Sequence, residues 1–101
     1  MRRKLELVVW PKLRKNLEFS QTLDCLSVKF QECCSSLRIE SQNGDRYILY
    51  AEWSNSEKMR RMLQSKEFSI LGGAIAILCE RSDIRLDGEP FKQDIAKLSI
   101  L

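Results

Sequence analysis

Histidine is missing from all 101 positions of this chain. That absence removes the usual general base near neutral pH and the commonest nitrogen ligand for a metal. Glycine occurs four times and proline twice, which excludes collagen-like and low-complexity classes. A strong charge of one sign is lacking too: 17 basic against 14 acidic residues leave a net +3. The opening MRRK supplies much of the excess, and the other cations alternate with acids. No basic face builds up to draw a phosphate backbone, so nucleic acid is not an expected partner. Long apolar runs are also absent. None approaches the roughly 18–20 residues of a membrane span, and no apolar stretch of signal-peptide length follows the basic N-terminus. The expectation is a cytoplasmic protein with no membrane partner.

Four cysteines are present, but Cys25, Cys33, Cys34 and Cys79 lack the C-x-x-C spacing of a zinc or redox motif. Two are adjacent and two fall at apolar helical positions, where a reduced thiol behaves as a small hydrophobe. No metal site is expected. What remains is a globular composition, 44% hydrophobic and 31% charged. A chain of this length supports one core, so residues 1–101 are read as a single domain.

LELVVW, residues 5–10, is β-branched and aromatic and is closed by Pro11, as a strand requires. Asn16 then offers a cap, and Phe19, Leu23, Leu26, Phe30 and Cys33 recur at spacings of four and three, giving an amphipathic helix to about Cys34. In SSLRIESQ, Leu37 and Ile39 share one face of a strand. Asn43-Gly44 is a hairpin turn, because both residues tolerate positive φ. On the return strand Tyr47, Leu49, Ala51 and Trp53 take one face, while Arg46, Ile48, Tyr50 and Glu52 take the other. Ser54, Asn55 and Ser56 offer caps for a short helix. A second helix runs from near Lys66 to about Glu80, carrying the stripe Phe68, Leu71, Ile75 and Leu78. Gly72 and Gly73 inside it cost roughly 1 kcal/mol each relative to alanine, which close approach of a ligand or a backbone would explain. DIRLD reads as a fourth strand, GEP as a turn and IAKLSIL as a short final strand.

The order is therefore βαββαβ with an added strand: an α+β, ferredoxin-like protomer with its helices on one face of an antiparallel sheet. The other face carries apolar area of its own. Two sheets packed face to face in a homodimer, a dimeric α+β barrel, would cover it.

FSQTLDCL at 19–26, the strand ending AEW at 51–53, the following SEKMRRML, and SKEFSILGGAIAILCE at 65–80 together resemble the antibiotic biosynthesis monooxygenase domain family. The likeness spans nearly the whole chain in order, with Trp53 as its distinctive anchor. It implies the dimeric barrel and the oxidation of a small aromatic substrate, a hydroquinone or an anthrone, by molecular oxygen without metal, flavin or other cofactor. Such a protein holds the ionised substrate in a dry pocket and offers hydrogen bonds to its charge. On that basis the catalytic candidates are Trp53 as pocket wall and indole donor, Tyr50 or Tyr47 as phenolic donor, and Arg46 or Arg61 as cation; Glu52, the acid flanked by the aromatic strand positions, is the candidate base if buried. Tyr47, Met59, Met62, Phe68 and Gly72 are the candidate substrate-binding residues. Many members carry a histidine on the helix after the tryptophan, where this chain has Met62, and a thioether moves no proton. The alternative is a non-catalytic dimeric module that binds a small ligand on the same scaffold. A haem-degrading role lacks its proximal histidine. For each candidate a structural role is the ordinary alternative: Trp53 and the methionines as core, Glu52 in a salt bridge.

Overall fold

The computed structural model describes residues 2–100. Its elements follow the expected order as far as the fourth strand: β1 (Arg3–Pro11), α1 (Asn16–Cys33), β2 (Ser36–Gln42), β3 (Arg46–Trp53), α2 (Ser56–Leu63), α3 (Lys66–Leu78) and β4 (Cys79–Leu86), followed by a two-residue strand, β5 (Glu89–Pro90). A 3-10 helix, Ile95–Ile100, ends the described chain. The strands form one antiparallel sheet in the order β2-β3-β1-β4-β5. The four longer strands thus have the ferredoxin-like arrangement, with the two sequence-adjacent strands β2 and β3 joined by a hairpin.

Alternation along the strands decides where the core lies. Leu5, Leu7 and Val9 of β1, Leu49, Ala51 and Trp53 of β3, and Ile84 of β4 point to one side. There they meet Phe19, Leu23, Leu26 and Phe30 of α1 and Phe68, Leu71, Ile75 and Leu78 of α3. The helical periodicity read from the sequence is the buried stripe of α1 and α3, except that Cys33 at the end of α1 is only half-buried. Asn43 at φ 55° and Gly44 at φ 71° make the β2–β3 turn, and Asp87 at φ 54° and Gly88 at φ 85° make the one after β4.

Capping is more selective than the sequence implies. The Asn55 side chain accepts from the Lys58 amide at 2.9 Å and Ser65 accepts from the Phe68 amide at 3.1 Å, which starts α2 and α3. Asn16 does not cap α1. Its amide nitrogen donates to the Gly44 carbonyl at 2.7 Å, and its Oδ1 accepts from the Tyr47 hydroxyl at 2.6 Å, tying the start of α1 to the hairpin.

Three readings need correction. Of GEP, read as a turn, only Gly88 turns; Glu89 and Pro90 pair with Leu86 and Arg85 as the short strand β5. α3 stops at Leu78 and β4 begins directly at Cys79, two residues before the expected end of the helix. The segment read as a final strand is the 3-10 helix; Leu101, its expected last residue, lies outside the described residues. The buried pair there is Ile95 and Leu98, three apart, which suits one face of a 3-10 turn rather than a strand of period two.

Candidate functional site

The sheet divides the candidate residues between its two faces. On the helix side Trp53 is 0% exposed within the buried cluster. Its indole Nε1 has no hydrogen-bond acceptor and is the one such buried side-chain atom among the described residues. A buried donor left unmatched in a native fold calls for an explanation, since it forfeits its hydration with nothing in return. Tyr47 packs at the edge of the same cluster, its ring 5.8 Å from that of Phe19, with its hydroxyl spent on Asn16.

On the open face stand Tyr50 and Glu52. The Arg38 guanidinium lies 4.4 Å from the centre of the Tyr50 ring. Glu52 accepts from Arg2 at 2.6 Å, a partly exposed ion pair. These two residues line a depression of about 380 Å³ together with Lys4, Glu6, Arg38 and Arg85. Arg46 lies at the hairpin end, where it donates twice to the Gln42 side chain opposite it, at 3.0 and 2.7 Å. Trp53 is therefore not joined with Tyr50, Glu52 and Arg46 in one constellation.

The helix side does gather the substrate-binding candidates. Met59, Met62 and Phe68 are buried in the cluster that holds Trp53. Gly72 instead faces the C-terminal 3-10 helix, where a methyl group would meet Ile95 Cγ2 at 3.7 Å. With Phe68 it borders a separate groove of about 560 Å³ between α3 and that helix.

A third cavity, about 540 Å³, opens between the end of α1 and α2, lined by Cys33, Cys34, Ser35, Lys58, Arg61 and Met62 among others. Its position matters for Trp53. The Ser35 amide donates to the Glu52 carbonyl at 2.8 Å, which sets the groove beside the end of β3. Met62, 1% exposed, both borders the groove and belongs to the buried cluster. Cys34 Sγ donates to Met62 Sδ at 3.3 Å. Burial, helped by the neighbouring Cys33, pushes the Cys34 thiol up to about 12, so it stays protonated at neutral pH. Arg61 pairs with Glu57 at 2.8 Å on the outer surface of α2.

Cys34, Ser35 and Asn16 were not legible as site residues, because each acts through a partner remote in sequence. The adjacent cysteines directly ahead of a strand were the only local signal for the groove. Among the described residues no group of three or more His, Cys, Asp and Glu gathers to hold a metal. No charged or polar residue is buried among them either.

These features define a ferredoxin-like α+β domain of the kind found in antibiotic biosynthesis monooxygenases, and solved structures bear the class out. The chain superposes on an antibiotic biosynthesis monooxygenase with a TM-score of 0.75 at 12% identity, covering 83% of this chain and 94% of that one. Rv0793 from Mycobacterium tuberculosis gives 0.78 at 13% identity, over 85% and 92% of the two chains. A mutant of SnoaB, a cofactor-independent oxygenase from Streptomyces nogalater, gives 0.70 at 17% identity, over 84% and 89%. At such identities the likeness is one of fold. No family model matches the chain, and no curated protein matches it in sequence.

Proposed function

We propose that this protein binds a small aromatic molecule between its helices and sheet and oxidises it with molecular oxygen, using neither metal nor flavin. The observation that carries this reading is the buried, unmatched indole N–H of Trp53, in a fold shared with a cofactor-independent oxygenase. A phenolate or enolate oxygen is the acceptor that donor fits, and hydrogen bonding to charge in a dry site is worth far more than in water. Entry is by the α1–α2 groove. Met62 stands between the groove and the cluster, and its unbranched side chain can swing aside.

The chemistry is demanding of the substrate rather than of the protein. For an anthrone, the ring methylene becomes a ketone: one oxygen atom of dioxygen stays on carbon, and the other leaves as water with the two hydrogens. The absence of histidine, and of any buried charged residue among those described, supports a substrate that ionises through its own acidity, with its proton passing to water.

The second reading is a binding module without turnover. It is favoured by the placement of Tyr50 and Glu52 on the open face, away from Trp53. Oxygen uptake by metal-stripped protein with a panel of hydroquinones and anthrones separates the two. Under the oxidation reading the unmodified chain consumes oxygen, and Trp53→Phe lowers kcat/KM by roughly tenfold, the worth of one hydrogen bond to charge. Binding with no uptake, together with uptake gained by Met62→His, would establish the module instead.

The homodimer belongs to the same proposal. Across the open face, one row of paired residues reads Arg38, Tyr50, Glu6, Arg85 and the next reads Glu40, Ile48, Val8, Asp83. Two arginines flank Tyr50 and Glu6 in the first row and two acids flank Ile48 and Val8 in the second, so a two-fold copy can set each sign against its opposite. Cytoplasmic residence is supported by four cysteines free of disulfides. No described helix is long and apolar enough to cross a membrane.

A further inference from the structure

We propose that Cys33, Cys34 and Met62 form a binding site for a soft monovalent metal ion of the copper(I) class. The three side chains come from two different helical segments. α1 ends at Cys33, and Cys34 turns out of it in extended conformation, φ −111° and ψ 154°, with its amide still bonded to the Phe30 carbonyl. Both cysteines thus lie at the mouth of the α1–α2 groove, which Met62 of α2 borders from the other side. The sulfurs of Cys34 and Met62 are already 3.3 Å apart. Two thiolates and a thioether are the donor set that selects copper(I) over harder ions.

Other ions fit less well. Zinc in a closed site takes four nitrogen or sulfur ligands, and no histidine exists to complete such a set. Magnesium and calcium need several oxygens, and of the acids only Glu32 borders the groove. Charge also balances. Binding converts two thiols and one monovalent cation into a complex of net charge −1 with release of two protons, and the Lys58 cation lines the same groove. The inference is independent of any oxidation, since ion binding is read without substrate.

The test is anaerobic titration of the reduced full-length protein with copper(I) against a chromogenic copper(I) chelator, with the sulfur shell read by X-ray absorption. One ion per chain is expected, with sulfur-only ligation. Cys34→Ser should weaken binding by about a hundredfold and Met62→Leu by about tenfold, the latter being a volume-conserving change that keeps the fold. Cys25→Ser, on the exposed face of α1, should change nothing. An affinity unmoved by Cys34→Ser or by Met62→Leu, or one lost with Cys25→Ser, would overturn the assignment.

Discussion

Single residues carry the most specific content of this molecule. The Tyr47 hydroxyl and Asn16 join the β2–β3 hairpin to the start of α1 through a 2.6 Å bond. Tyr47→Phe should lower stability by about 1 kcal/mol, the net value of an ordinary hydrogen bond, readable as a shift in the urea midpoint at constant slope. The thiols add a pH dependence. Cys34 is raised from an ordinary 9.0 to about 12, and Cys79 from 9.0 to about 11, chiefly by burial, with Lys12 pulling Cys79 slightly back. Because the unfolded thiols ionise first, their contribution is fully present below pH 9 and is lost as the pH rises toward 11–12. Urea midpoints measured between those limits should fall, and fall less steeply in Cys34→Ser and Cys79→Ser than in the unmodified chain. An unchanged slope in both variants would place the loss on other groups. The sequence could name Trp53 and the tyrosines as candidates. It could not reveal that Tyr47 is bound to Asn16 or that the Trp53 indole has no acceptor, because both facts depend on partners brought close only by folding.

Elements were more legible, because periodicity is a local property. The stripe Phe19, Leu23, Leu26, Phe30 and the alternation Leu49, Ala51, Trp53 report directly which side faces inward. The misreading of the Ile95–Ile100 segment has a plain cause: in a stretch this short, spacing three and spacing two differ by one residue. The glycine pair was read as a sign of close approach, and the structure offers little of it. A methyl group on Gly73 would meet nothing within 4 Å, and one on Gly72 would make only ordinary contact. Gly73→Ala should therefore raise thermal stability, by about 0.5–1 kcal/mol through helix propensity. A loss of stability instead would mean that something outside this chain packs on that face of α3.

At the scale of the whole molecule, the one-sided helical layer follows from the order of elements. The apolar positions on the open face are legible in the strand pattern, but what covers them is not, since a partner's contacts lie outside this chain. The Arg38–Tyr50–Glu6–Arg85 row supports a two-fold contact. Sedimentation at micromolar concentration should give twice the 11.8 kDa chain mass, with dissociation favoured by added salt as the charge pairs are screened. A monomer at low salt would remove the barrel. The central claim, that the Trp53 indole donates to a bound aromatic oxygen, is most directly tested by following the two indole N–H resonances in 15N-labelled protein as anthrones and hydroquinones are added. The resonance absent from Trp53→Phe should move downfield on binding. A ligand that binds while that resonance stays fixed would contradict the claim.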